Sequence, residues 1–349
     1  MRSYGLPEKY EERIERALGR LGYSLSQPKK LAEAILRLSD HYQVQSSISP
    51  WEHDWAKAAY LSYFFPLNYA RAHSVVVEGA KRGFFTDLEN VIDFGSGTGA
   101  AMLALSDLST QPWTERLCYD IGAQALALQN LLNNDDHPIT STEVEPRKIK
   151  PRSLAIFSYS LNELEAFPQQ FLEADALMLI EPSTRAHGRR LLQLRDDLIA
   201  NRGFYAWAPC PHQGPCPLLN NSDRDWCHDR IAWQAPPWFL KIETELPIKN
   251  PTLTYSYVLL KKSPPATKVT EKLLGRVVGD ALLEKGKTRQ LICIDSQRRF
   301  LSWFPQRLDK ATLNHLDFFR GDLLELESNL EERGNEMRVK ESHQIAKLI

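Results

Sequence analysis

Over its first 85 or so positions the chain spaces apolar residues with a helical period. Residues 8–21 and 28–42 carry an apolar stripe, interrupted at Gly22 and restarted near Ser26 and Pro28, which predicts two amphipathic helices. The run WAKAAYLSYFF predicts a third helix ending at Pro66, and a fourth follows to about Lys81. From Val91 the pattern changes. VIDF, RLCYD, LAIFSYS, ALMLIEP and FYAWAP are short apolar runs rich in β-formers, and helical stretches near 99–108, 122–134 and 185–201 separate the clearest of them. Such alternation predicts an α/β domain whose parallel sheet is covered on both faces, with TYSYVLLKK at 254–262 as a closing strand.

After Lys262 the proline-bearing SPPATK reads as a linker. Beyond it, GRVVGDALLEKGKTRQLICIDSQRRFLSW and FFRGDLLEL predict strands joined by polar turns, a small β-domain of barrel-like outline. The expected organisation is therefore a helical region over 1–85, an α/β domain over 86–263, a small basic β-domain over 264–323 and a charged tail over 324–349, helical or loose.

Composition narrows the class. Apolar residues make up 43% of the 349 and charged residues 25%, as in ordinary water-soluble proteins. No apolar run reaches the roughly 18–20 residues that span a bilayer. The opening MRSYGLPEKYEERIERAL has no apolar signal core, and its acids argue against a transit peptide. The expectation is a bacterial cytoplasmic protein with no membrane partner. Disulfides are disfavoured there, so clustered cysteines point to metal or to chemistry. The net charge of −1 conceals an uneven distribution: residues 261–310 hold 12 Lys or Arg against five acids. That segment reads either as a surface following a phosphate backbone or as a well-solvated face.

Two stretches carry candidate chemistry. In VIDFGSGTGAAMLAL a strand ends at Asp93, Gly95, Gly97 and Gly99 follow at alternate positions, and a helix begins. Glycines there let the backbone turn sharply and approach a ligand at the strand's carboxyl end. The spacing is neither the dinucleotide GxGxxG nor a P-loop; it resembles motif I of class I S-adenosylmethionine (SAM) methyltransferases. Asp120 ends the next strand, placed to accept from ribose hydroxyls or to cap the following helix. The fourth strand ends in SYSLNEL, where amino-methyltransferases often carry a D/N-P-P-Y/F motif. Asn162 and Glu163 are the candidates there for orienting an acceptor, but no Pro-Pro follows.

The second stretch is APCPHQGPCPLLNNSDRDWCH at 208–228, which holds three of the five cysteines, Cys210, Cys216 and Cys227. Prolines at 209, 211, 215 and 217 keep it from continuing as helix. Three thiolates are one ligand short of a closed zinc or iron–sulfur site, and His212, His228 or the distant Cys293 could complete it. Cys118, inside an apolar strand, reads as an inert buried thiol. Pro209-Cys210 and Pro215-Cys216 are similar to the nucleophilic Pro-Cys of cytosine C5 methyltransferases, but that motif follows the fourth strand and these follow the sixth. A radical-SAM CxxxCxxC loop is absent.

Taken together, CPHQGPCPL with the later DWCH, EPST at strand five, SYSLNEL and the downstream GRVV…C segment resemble the ribosomal small-subunit methyltransferase-like assembly factors. That family is known from mitochondria (methyltransferase-like protein 17) and has bacterial relatives. The resemblance covers about residues 85–300. It implies a Rossmann-like SAM fold, a 4Fe–4S cluster held by Cys210, Cys216, Cys227 and Cys293, and association with small-subunit rRNA or a pre-ribosomal particle. An active rRNA methyltransferase with structural zinc or iron–sulfur is the alternative.

Overall fold

The computed structural model describes residues 1–44, 49–266 and 272–349; Lys268 and the end of the expected linker lie outside them. Strand β1 (Ser3–Gly5) leads into α1 (Lys9–Arg20), which buries Tyr10, Ile14, Ala17 and Leu18, the positions its period marks. Helices α2 (Pro28–Val44), α3 (Asp54–Ala59) and α4 (Phe65–Lys81) follow. The expected break at Pro66 does not occur. A π-helical turn over Tyr60–Phe64 joins α3 to α4, and Pro66 sits in the first turn of α4, where a missing N–H costs nothing.

The sheet that follows contains β2 (Asn90–Phe94), β3 (Glu115–Tyr119), β4 (Thr140–Thr142), β5 (Ser153–Ser158), β6 (Ala176–Glu181), β7 (Tyr205–Ala208), β8 (Asp229–Gln234) and β9 (Thr252–Lys261). Their order is β1-β8-β9-β6-β5-β2-β3-β4, with β7 also on β9. Strands β2 to β6 pair in parallel, and β9 runs antiparallel to β6, β7 and β8. This is the Rossmann-like arrangement of class I methyltransferases. Helices α5 (Ala100–Leu108) and α6 (Ala123–Asn133) share one apolar core with the N-terminal helices, and α7 (Arg185–Asn201) covers the other face. Strand order reverses between β2 and β5, and the carboxyl ends of such a pair open a crevice. Further elements that escaped the sequence pattern include β1, the three-residue β4, β8, and two short helices, α8 (Pro217–Asn220) and α9 (Pro237–Thr244).

The C-terminal sheet holds β10 (Leu273–Val277), β11 (Leu282–Glu284), β12 (Lys287–Ile294), β13 (Gln297–Trp303), β14 (Leu323–Leu326), β15 (Glu331–Arg333), β16 (Glu336–Arg338) and β17 (Ile345–Lys347). Its order, β15-β16-β13-β12-β10-β14-β17 with β11 on β12, is open among the described residues and not a closed barrel. The charged tail expected over 324–349 is part of this sheet. Leu324, Leu326, Leu330, Met337, Val339 and Ile345 are buried in the same core as Ile292 and Trp303, and each is separated by polar residues that hide the strand pattern.

A buried ion network ties the two sheets together. Arg276 of β10 donates to Glu78 of α4 at 2.7 and 3.0 Å and to Asp229 of β8 at 2.5 Å. Arg2 reaches the same two acids at 3.2 and 2.7 Å, Arg82 reaches Glu78 at 2.7 Å, and the Tyr257 hydroxyl donates to Glu78 at 2.6 Å. Burial alone would raise the Glu78 pKa, but the guanidinium of Arg276, then those of Arg82 and Arg2, hold it well below the carboxylate range.

Candidate functional sites: a crevice and a cysteine gap

The crevice lies where the carboxyl ends of β2, β3 and β5 meet. Gly95, Gly97, Asp120, Tyr159 and Glu163 line it, and Trp51 and Tyr60 from the N-terminal helices close one side, around a volume of about 220 Å³. The three glycines do different things. A Cβ on Gly95 would stand 2.6 Å from Ser160 Cβ, and one on Gly99 would stand 2.4 Å from Gln129 Cγ; both glycines pack the loop against its supports. Gly97, at φ 53°, has nothing within 4 Å of that position and leaves the backbone open to the crevice.

Asp120 does not cap α6, whose N-cap is Gly122. Its Oδ2 accepts from Gly97 N at 2.8 Å and its Oδ1 from Gly122 N at 2.8 Å, so it fixes the glycine loop and the turn before the helix. Each oxygen keeps a second lone pair for a ligand hydroxyl. Asp93 does not line the crevice. It lies fully buried beneath the loop, accepts from Met102 N at 3.2 Å, and is pushed up to about 7 by burial.

Glu163 stands at the rim, where burial of its carboxyl and then the nearby Asp120 raise it to about 7. Asn162 is not among the lining residues, and its Oδ1 is buried without a hydrogen-bond partner. Glu181 ends β6 behind SYSLNEL and accepts from Leu161 N; burial lifts it to about 8. Sequence reasoning missed the aromatic wall. Trp51 lies against Tyr60 with the rings tilted by 41° and centroids 4.3 Å apart, and the Ser49 hydroxyl lies 2.8 Å from that of Tyr60. The tryptophan and tyrosines of 51–63 were a signal, but helical amphipathicity explained them equally well.

The cysteine stretch folds over α7. Arg195 donates to the carbonyls of His212 (2.8 Å) and Gly214 (2.5 Å), Arg189 to those of Ser222 and Asp225, and Arg185 to that of Asp223. Cys216 N donates to Asp196 at 3.0 Å. Gly214 has no room for a side chain, because a Cβ there would meet Ser296 Oγ at 2.2 Å. That close approach brings the β12–β13 turn onto the stretch, and Cys293 with it.

As a result Cys210, Cys216, Cys227 and Cys293 line one small gap with His212 and Arg276. Cys293 Sγ lies 3.4 Å from His212 Nε2, and His212 Nδ1 lies 3.0 Å from Ser296 Oγ. His228 does not line the gap; it packs beside Trp226. Burial first, then the neighbouring thiols, push Cys216 up to about 11 and raise Cys227 and Cys293 further. His212 falls to about 4 through burial and the Arg195 charge, so it is a neutral imidazole. Arg195, Arg276, Arg298 and Arg320 surround these thiols. Cys118 is fully buried in β3, apart from the others.

Among the described residues, Asp107, Asp136 and His137 form the group of three or more His, Cys, Asp or Glu whose ligand atoms all lie within 4.8 Å of one another. Lys9 Nζ already occupies it, 2.6 and 2.8 Å from the two aspartates. No trio of the gap-lining sulfurs is that tight, whereas sulfurs at ~2.3 Å around one tetrahedral zinc stand about 3.8 Å apart.

The basic segment 261–310 is not a continuous cationic surface. Arg276 and Lys261 are buried. Lys272 pairs with Glu325 and Glu327, Lys287 and Arg289 with Glu284 and Glu336, Arg298 with Asp225, and Arg299 with Glu332. The acids come from outside the window or from strand partners, which a linear count of charge leaves out.

Among the described residues no helix is long and apolar enough to cross a membrane. A family model described as mitochondrial small ribosomal subunit Rsm22 matches residues 52–301. The human mitochondrial ribosome assembly protein METTL17 is 28% identical over 162 residues, which span 38% of this chain and 35% of that protein. Two solved structures share low identity. Magnesium protoporphyrin IX methyltransferase from Synechocystis PCC 6803 with bound SAM is 10% identical, with 66% of this chain and 97% of that one covered and a TM-score of 0.36. TrmK from M. capricolum with S-adenosyl-homocysteine is 8% identical, with 56% and 71% covered and a TM-score of 0.32.

Proposed function

The chain belongs to the family of the mitochondrial small ribosomal subunit protein Rsm22, and from that premise we propose that it is a SAM-binding, cluster-containing factor in assembly of the small ribosomal subunit, acting on rRNA or the assembling particle. The observation that carries the reading is the convergence of Cys210, Cys216, Cys227 and Cys293 from two sheets on one gap. Four thiols fit a closed 4Fe–4S site, with a single structural zinc ion as the alternative. The ring of arginines offsets the negative charge that four thiolates would bring. When bound, such a cluster supplies covalent ties between its ligands and requires no electron transfer.

The chain's own residues do the rest. The glycine loop presents backbone to the ligand, Asp120 offers acceptors to ribose hydroxyls, and Trp51 and Tyr60 exclude water from one wall. Asp93 supports the loop from below and makes no contact with the crevice. SYSLNEL contributes Glu163 but not Asn162 to the crevice, an arrangement that favours binding of SAM over orientation of an attacking amine.

The test takes protein purified without oxygen. Iron and sulfide in a stoichiometry of about four each, visible charge-transfer absorbance, SAM binding by calorimetry and co-sedimentation with immature small subunits support the reading. Stoichiometric zinc with no sulfide removes the cluster. Transfer of labelled methyl from SAM to immature small-subunit rRNA would instead establish the active enzyme.

A further inference from the structure

We propose that a pocket on the C-terminal sheet binds one nucleotide of single-stranded RNA, its base against Phe304 and its phosphate between Arg307 and Lys340. The pocket, of about 270 Å³, is lined by Phe304, Arg307, Leu308, Glu331, Arg338, Val339 and Lys340. It is built from the end of β13 and the segment that follows β16, which pair in parallel and bring 304–308 beside 338–340.

Charge sets this place apart from the rest of the domain. Elsewhere most cations of 272–299 face matching acids, and Lys272 and Lys287 each face two. Here a single acid is shared. Glu331 serves Arg333 at 2.6 Å, Lys340 at 2.9 Å and Arg338 at 3.6 Å, and Lys340 first, then Arg333, depress its pKa to about 2. Arg307 has no ion pair among the described residues and rests over Phe304, 4.8 Å from the ring centroid. The Arg338 guanidinium lies 5.5 Å from the same centroid. The pocket thus carries Arg307, Arg338 and Lys340 against Glu331 alone, an uncompensated positive charge around an aromatic ring. Cations that follow a backbone beside a ring on which a base can stack are the recurring design of single-strand binding sites. Leu308 and Val339 line the pocket with apolar surface, which a bare phosphate does not use and a base does.

The inference rests on the ribosomal reading for its partner, and the experiment separates the two. Full-length, cluster-loaded protein is titrated into a fluorescein-labelled ten-nucleotide oligouridine and into a duplex RNA, with anisotropy as readout over a series of salt concentrations. Wild type should prefer the single strand. Arg307→Ala with Lys340→Ala should weaken binding and flatten the log–log salt slope by about 0.7, the loss of one neutralised phosphate. Phe304→Leu, which keeps the apolar volume and removes the ring, should weaken binding about five-fold with an unchanged slope. Equal affinity of all variants, preference for duplex, or stoichiometric competition by millimolar inorganic phosphate or a phosphopeptide overturns the proposal. Co-sedimentation with immature small subunits is measured in parallel on the same proteins. Wild type that sediments with particles while the oligonucleotide is ignored keeps the ribosomal reading and sinks the pocket; wild type that binds the oligonucleotide but never the particle does the reverse.

Discussion

The crevice beside Gly97 and the gap around Cys227 are both lined by polar groups, yet they are built on opposite terms. The crevice holds about 220 Å³, and its groups are set by the glycine loop and the strand ends: Asp120 accepts from Gly97 and Gly122, and Glu163 stands at the rim. The gap holds about 20 Å³, and its groups come together only because β12 folds back onto the 208–228 stretch, His212 and Cys293 being 81 residues apart. The difference teaches that one site has room for a small molecule, whereas the other draws four thiols from two sheets together.

The sharpest way to break this comparison is to remove one thiol. Cys293→Ser is expected to abolish visible absorbance and iron binding and to loosen the C-terminal sheet, with a loss on the order of 3–5 kcal/mol and a fall in Tm of about 10 °C. An unchanged melting curve in the iron-free variant would separate the gap from the fold. Next in size are the two glycine changes. Gly99→Ala should cost about 2–3 kcal/mol by urea unfolding, since the added methyl meets Gln129. Gly97→Ala should cost only about 1 kcal/mol, from its positive φ, yet weaken SAM binding about ten-fold by calorimetry. If both lost stability equally, Gly97 would be a packing residue like Gly99.

The smallest effect concerns pH. Glu163 has its pKa raised to about 7, so it gains negative charge as pH rises through that value. Affinity for cationic SAM should then rise roughly three-fold between pH 6 and 8, while affinity for neutral S-adenosyl-homocysteine stays flat. Glu163→Gln should remove the rise. For stability the sign is opposite: a carboxyl with a raised folded pKa binds its proton more tightly in the native state, so its contribution is greatest below the unfolded value of 4.5 and falls as pH climbs to about 7.

Much of this was legible in the residues. The strand–loop–helix of VIDFGSGTGAAMLAL was readable because glycine spacing, apolar run and terminal acid are local properties, and the structure puts Gly95, Gly97 and Asp120 in one crevice. Asp93 falls beneath the loop because β2 runs on to Phe94, and successive strand residues face opposite sides of the sheet. The 324–349 strands were hidden because charged residues alternate with single leucines, and only their antiparallel neighbours reveal which face is buried.

By itself the sequence determined the α/β alternation, the glycine loop and the unusual density of thiols, each of which follows from side chains within a few positions of one another. Tertiary structure decided what lies far apart along the chain. It took Arg276 out of the basic segment and buried it against Glu78 and Asp229, paired most of the remaining cations, and left Arg307 over Phe304 without an ion pair among the described residues. It also placed Cys293 opposite Cys210, Cys216 and Cys227. The reason is that charge neutralisation and ligand sets depend on distance in space, which chain spacing constrains only within a helix or a strand.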